Sequence, residues 1–266
     1  MVTSPAAAQS LPVPTMIIPE ASSKPGWDLG FSTGFDYVSD AKCTLQNTSV
    51  SCISTSTTAF SVPATVMVQF ERLRLELTVP FVDIEGPGEI SGVLGVQQIV
   101  ARSNATFKRR SGLGDVAAGA AWILVREGRY IPRVEIAGVV KLPTAVSGLG
   151  TGKMDYGTQL SLYRPLMNGH LITFGSLGYQ WVGDQNTVKF HDGARATAGM
   201  DINYSILGGG ALLDYRQSLW DGSPNTFTVD PYLTLRVIGG VGVSVYTTIG
   251  LTRSSKGHDV GFRLVL

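Results

Sequence analysis

The feature that most constrains this chain is an alternation of apolar and polar residues that begins at Trp27. Trp27, Leu29, Phe31, Thr33, Phe35 and Tyr37 fall on one side, and Asp28, Gly30, Ser32, Gly34 and Asp36 on the other. Successive side chains of an extended chain point to opposite faces, so this run is a strand with one wholly uncharged face. The same reading predicts strands over 27–38, 60–71, 73–83, 113–125, 130–142, 154–164, 171–182, 194–205, 210–220, 226–238, 241–252 and 259–266. No helical period of comparable length competes, and the 32 Gly and 13 Pro are spread throughout, which disfavours helices. The expected fold class is therefore all-β, with about 12 strands.

The direction of the two faces decides the architecture. Uncharged rows such as Val62/Ala64/Val66/Val68/Phe70, Leu73/Leu75/Leu77/Val79/Phe81, Ala194/Ala196/Ala198/Met200/Ile202/Tyr204 and Val241/Val243/Val245/Thr247/Ile249/Leu251 recur in every strand. About 65 such positions carry no charge, where a chain that is 15% charged would place roughly ten. The opposite faces hold the acids Asp28, Asp36, Glu76, Asp115, Glu135, Asp155, Asp201, Asp214 and Asp230. They also hold the bases Arg74, Arg133, Lys141, Arg195, Arg216, Arg236 and Arg263. A soluble sandwich would bury the apolar face and show the charged one to water. A transmembrane barrel shows the apolar face to lipid and encloses the charges. Strands of this length suit a bilayer, whereas the longest uncharged apolar run, Val116–Val125, is far short of the roughly 20 residues of a spanning helix.

Connections and aromatics support the barrel. Residues near 72, 126–129, 165–170, 206–209 and 239–240 are short or moderate turns, and 39–59, 84–112, 143–153, 184–193, 221–225 and 253–258 are generally longer. Short periplasmic turns opposite longer external loops are the bacterial outer-membrane pattern. Tyr37, Phe81, Tyr156, Tyr179, Trp181 and Phe227 then fall near the external rim, and Trp27, Phe70, Trp122 and Tyr204 near the periplasmic one, as two interfacial girdles. Hydrocarbon tolerates no unpaired sheet edge, so the last strand is expected to close on the first in an up-and-down antiparallel barrel over 27–266. Outer-membrane lipid and lipopolysaccharide are the expected surroundings, the chain is expected to be a monomer, and the barrel-assembly machinery an obligate partner in folding.

The enclosed charges are the candidate lumen and transport residues. Opposite signs could equally cross-link the wall and fill the interior, because twelve strands lie between filled eight-stranded barrels and the open bores of larger ones. Near balance of sign argues against strong ion selectivity. The segment 84–112 is the expected gate or plug: its apolar stretch Ile90–Val100 could fold into the mouth. It could instead prolong the neighbouring strands, with Lys108, Arg109 and Arg110 touching lipopolysaccharide phosphates. That basic cluster is the largest in a chain of net charge +1, which excludes a nucleic-acid partner.

Other motifs carry little chemistry. Gly148-Leu-Gly-Thr-Gly152-Lys153 lacks phosphate-loop spacing and a following helix, so it reads as a hairpin connection. His170, His191 and His258 fall in predicted turns or loops without a nucleophile motif; His191-Asp192 and His258-Asp259 are what a lipid hydrolase at the external rim would have to use. No cofactor motif and no metal-ligand grouping is present, so no catalytic residue is assigned. Residues 1–26 join a small-residue stretch, Pro5–Ser10, like a signal-peptide remnant, to a Pro-rich segment expected in the periplasm.

Ser111-Gly-Leu-Gly-Asp115, Lys141-Leu-Pro-Thr144 and Gly148-Leu-Gly-Thr-Gly152 with Asp155 resemble the outer-membrane proteins named for the meta-cleavage pathway of phenol degradation, often labelled transporters. The resemblance implies a porin-like outer-membrane barrel passing small hydrophobic or aromatic molecules. Two departures stand out: Ala145 where the family often has Gly, and a final Leu266 where outer-membrane proteins usually have the aromatic read by the assembly machinery. Beside that expectation stand a closed structural or adhesive barrel and an outer-membrane lipid hydrolase.

Cys43 and Cys52, the two cysteines of the chain, lie in a polar stretch of an expected external loop, and an oxidising compartment would join them as a disulfide. The unreduced, denatured protein should resist iodoacetamide until a reductant is added. Alkylation of both thiols without reductant would refute the bond.

Overall fold

The computed structural model describes residues 27–40, 44–46, 49–51, 57–86, 88–93, 96–101, 108–146, 149–150, 152–183, 191–219, 225–236, 241–252 and 257–266. The N-terminal segment 1–26 and the expected Cys43–Cys52 bond lie outside the described residues.

In chain order the strands begin with β1 (Asp28–Asp40), β2 (Thr44–Gln46), β3 (Ser49–Ser51), β4 (Thr57–Gln69), β5 (Leu73–Gly86), β6 (Gly88–Val93), β7 (Val96–Ala101) and β8 (Lys108–Leu113). They continue with β9 (Val116–Val125), β10 (Arg133–Leu142), β11 (Asp155–Leu166), β12 (Leu171–Trp181), β13 (Gly193–Tyr204), β14 (Leu207–Arg216), β15 (Thr226–Arg236), β16 (Gly242–Gly250) and β17 (Gly257–Val265). Every ladder is antiparallel, β4 pairs with both β1 and β5, and β17 pairs with β1, so the main sheet closes on itself. Counting β8 and β9 as one interrupted stave, the barrel has twelve. The hairpins β2–β3 and β6–β7 stand apart at the long-loop end. His258 lies within β17 rather than in the preceding loop.

Burial is inverted relative to a soluble protein. Leu77, Trp122, Leu177, Met200, Leu233 and Ile249 are exposed on the outside, while Asp36, Asp155, Asp214, Asp230 and Asp259 are among the most completely buried side chains. That inversion requires lipid outside, because such an apolar surface facing water is unfavourable by about 25 cal/mol per Å². Exposed aromatics gather at both ends. Tyr37 sits opposite Phe60, and Tyr156 opposite Trp181, at the long-loop end; Trp27, Phe70, Trp122 and Tyr204 are exposed at the other.

One sector of the wall is locally weakened. Pro63 and Pro80 face each other between β4 and β5. The β1–β4 ladder skips Gly34 and Phe35 opposite Pro63 and Val62. Opposite Pro80, β8 gives way to β9: three steps along β5, Thr78 to Phe81, match four along its partner, Leu113 to Ala117. Proline cannot donate to a ladder, and the extra residue is a bulge. The bulge turns Asp115 into the lumen, where it meets Lys141.

On the opposite sector the interior is filled. Tyr232 of β15 lies across its ladder partner Gly210 of β14, and its hydroxyl donates to Asp201 of β13 at 2.8 Å, one strand farther round. Tyr246 of β16 lies across Gly261 of β17 in the same way. A Cβ at Gly210 would stand 2.7 Å from the Tyr232 hydroxyl, and one at Gly261 would stand 2.1 Å from the Tyr246 ring. Gly210→Ala and Gly261→Ala should therefore each lower unfolding stability in vesicles by about 1–3 kcal/mol, the range for overpacking. Gly119→Ala, whose Cβ would meet nothing closer than 3.6 Å, should change it little. Urea titration followed by tryptophan fluorescence reads the difference, and equal behaviour of the three variants would contradict the packing described.

Candidate functional site

Fourteen of the sixteen candidate charges, leaving aside Asp28 and Asp36 of β1, are buried or half-buried, and their partners place them in two tiers, one at each end, and a third group around Lys141. Near the long-loop end, Arg195 and Arg216 stand directly opposite each other on β13 and β14, and Asp214 neutralises both, with contacts of 2.8 Å to Arg195 Nε and 2.5 Å to Arg216 Nη2. Asp230 accepts from the Thr228 hydroxyl at 3.3 Å. Asp36 pairs with Arg263 at 2.9 Å, and the Arg263 guanidinium also lies 5.7 Å from the Tyr246 ring centre.

At the short-turn end, Arg74 reaches from β5 past Ala121 of β9 to Glu135 of β10, with contacts of 2.6 and 3.2 Å. Its Nε also donates to Glu76 at 2.7 Å. Beside this network the Arg133 guanidinium sits 4.6 Å from the ring centre of Tyr163. Across the bore, Asp201 accepts from Asn203 at 2.5 Å as well as from Tyr232, and Arg236 donates to Asn203. Buried ion pairs hold only when most of the remaining hydrogen-bonding capacity is met; shared partners meet part of it, and Arg216 Nε is buried without a hydrogen-bond partner among the described residues.

The third arrangement is built from the motif residues. Lys141, at the end of β10, places its Nζ 2.6 Å from Asp155 and 3.0 Å from Asp115. The other oxygen of Asp155 accepts from the Gly183 amide at 2.8 Å, and that of Asp115 accepts from the Ala145 amide at 3.0 Å. Thr144 Oγ1 accepts from the Val116 amide at 2.8 Å, and the Val146 amide donates to Leu113 O at 3.0 Å. The connection after β10 is thereby folded inward rather than standing over the rim. Its Leu149 is 2% exposed and packs against Val38, Ala59, Val82 and Ile84, with Ala145 at the edge of the cluster. Gly150 must be glycine here: a Cβ would stand 2.6 Å from both Asp115 Oδ2 and Ala145 Cβ. The departure at Ala145 places a methyl where the apolar cluster receives it.

The bore between the tiers is asymmetric. From β14 to β16 the inward positions Leu212, Tyr232, Thr234, Tyr246 and Thr248 are buried. On β9 and β10 they are small, uncharged and only half-buried (Ala117, Gly119, Ala137, Val139), whereas on β12 the buried Phe174 lies over its ladder partner Gly199 of β13, next to the Ser176–Thr197 pair. The Lys141 latch lies at the head of the β9–β10 track and the Arg74–Glu135 network at its foot.

Sequence reasoning assigned the gate to 84–112. The β6–β7 hairpin of that segment does approach β4 on one side and β11 on the other. The inward-folded segment defined by its contacts, however, is the one after β10, which reads from sequence as a plain hairpin connection. A signal was present in an apolar Leu149 isolated among glycines, but its partners are far apart in sequence. The histidines form no catalytic arrangement among the described residues. His191 Nδ1 lies 3.1 Å from the Asp192 carbonyl, while the Asp192 carboxylate accepts from the Val182 amide; His170 stacks on Tyr204.

No protein-family model matches this sequence, and no curated protein does. Among solved structures, the chain is similar to an outer-membrane channel from Pseudomonas putida F1, at 12% identity with a TM-score of 0.70, covering 93% of this chain and 97% of that one. It is more loosely similar to the Pseudomonas putida toluene transporter TodX, at 10% identity and a TM-score of 0.47 over 92% of this chain and 89% of that one, which is too distant to carry an argument. The first likeness shows that the fold is that of an outer-membrane channel barrel.

Proposed function

We propose that the protein resides in the bacterial outer membrane and lets small uncharged hydrophobic or aromatic molecules pass down their gradient along the β9–β10 side of the bore. The observation that carries this reading is the half-buried track of small, uncharged side chains running between two charged tiers. Charged solutes would have to break the ion pairs at each end, whereas an uncharged molecule meets alanine, valine, glycine and hydroxyl groups along the wall. The channel barrel of the same fold and the motif resemblance support the same conclusion. The fourteen inward charges act as wall braces and end gates rather than as an ion-selective filter, and no chemistry is assigned to the histidines.

In the conformation described, the latch is shut. Removing one partner of a buried ion pair costs about 3–5 kcal/mol, well above the 1.4 kcal/mol that shifts an equilibrium about tenfold. Lys141→Met leaves Asp115 and Asp155 facing each other without a cation, so the latch should release. In cells with intact lipopolysaccharide, initial uptake of dilute radiolabelled ethylbenzene should rise with the wild-type chain and rise again with Lys141→Met. Equal uptake with and without the protein, for both forms, would mark a closed structural barrel instead. Loss of lipid turnover on replacing His191 and His258 by Ala would support the hydrolase reading.

A further inference from the structure

Among the described residues of the inward-folded connection, Leu149 is the side chain buried in a wall of strand residues. Its seat is made by Val38 of β1, Ala59 of β4, and Val82 and Ile84 of β5, three adjacent strands of the barrel. These four positions are held by backbone ladders, so the recess belongs to the wall. Leu149 belongs to a connection fastened by side chains and a few amide bonds: Lys141 to Asp115 and Asp155, Ala145 to Asp115, and Val116 to Thr144. If that connection withdraws, an apolar recess lined by branched aliphatic groups opens on the lumen at the head of the small-residue track.

We propose that this recess is the binding subsite for the permeating molecule, an uncharged aromatic or short aliphatic hydrocarbon, and that Leu149 is its built-in competitor; the assignment rests on the passage reading above. Withdrawal of Leu149 into water would expose its own side chain and the four wall residues, which the hydrophobic effect opposes. A hydrocarbon that replaces it keeps the wall dry, so the wall half of that opposition is removed only when such a molecule arrives. Opening is thus coupled to the chemistry of the ligand: a molecule with greater affinity for the vacated recess shifts the latch toward the withdrawn state. A sugar or an ion gains nothing from an apolar recess and shifts nothing.

The test uses the full wild-type protein in lipid vesicles with 3-trifluoromethyl-3-phenyldiazirine, a small aromatic photolabel, followed by peptide mapping. Lipid-facing Phe81 and Tyr37 should be labelled from the bilayer whatever else is present. Inward Val82 and Ile84 should also be labelled, and excess ethylbenzene should suppress that labelling at least about fivefold, as one-site competition requires. Leu149→Trp, which fills the seat more completely, should abolish labelling at Val82 and Ile84, while Leu149→Met should retain it; heat-dependent gel mobility verifies folding of each. Labelling confined to Phe81 and Tyr37 in the wild type, or labelling of Val82 and Ile84 that ethylbenzene does not suppress, overturns the subsite without requiring any variant to fold. Undiminished labelling in folded Leu149→Trp overturns the competition. Competable labelling without ethylbenzene uptake would sustain the subsite and remove the passage reading; uptake without such labelling would do the reverse.

Discussion

Backbone hydrogen bonding in a medium without water governs this molecule. Each N–H and C=O crossing the hydrocarbon region needs a partner in the protein, and a sheet meets that demand only by closing on itself. Closure is made where β17 runs beside β1, from Asp40 opposite Gly257 to Ser32 opposite Val265, with Phe31 and Leu266 exchanging a further pair of bonds at the end. Once the ring is closed, strand alternation leaves two environments: lipid outside, and a narrow interior that must satisfy its own charges.

The interior meets that second demand by reach. Arg74 passes a small residue, Ala121, to grip Glu135, and Tyr232 passes Gly210 to reach Asp201. In both cases the intervening strand supplies a side chain small enough to be crossed. The short-turn tier therefore ties together strands that share no ladder, which stiffens a wall in which two facing prolines and a bulge have removed some of the ordinary bonding. The same bulge supplies Asp115, so the weakened sector and the latch are parts of one construction.

That construction explains the spread of the motif residues along the chain. Ser111–Leu113 pair with β5 and Gly114 and Asp115 lie in the bulge that follows, Lys141–Thr144 supply the cation and the first fastening, and Leu149 and Gly150 fit into space bounded by Asp115, Ala145 and the apolar wall. The side of the bore beneath the latch, β9 and β10, is lined by small residues, and from β12 to β17 the aromatics Phe174, Tyr232 and Tyr246 lie over glycines. A twelve-stranded barrel with both halves filled would have no room for a solute. With this division the proposed passage runs along one side.

The sequence by itself determined the class of fold, the number of staves, the direction of each face and the two aromatic girdles, because period-2 alternation is a local property and lipid enforces it at every strand. It also determined which charges point inward: Asp36, Lys141, Asp214 and Arg263 are all enclosed as their phase requires. Which of them pair was decided only in three dimensions. Arg74 meets Glu135 because of strand stagger and the size of Ala121, neither of which is visible in a list of inward residues. The same holds for the gate. The apolar stretch Ile90–Val100 stands out by composition, and its side chains lie outside the described residues; the buried side chain of the inward-folded connection is Leu149, whose seat is assembled from β1, β4 and β5. A loop carries no periodicity to reveal its direction, and the shape that receives it exists only after the barrel has closed.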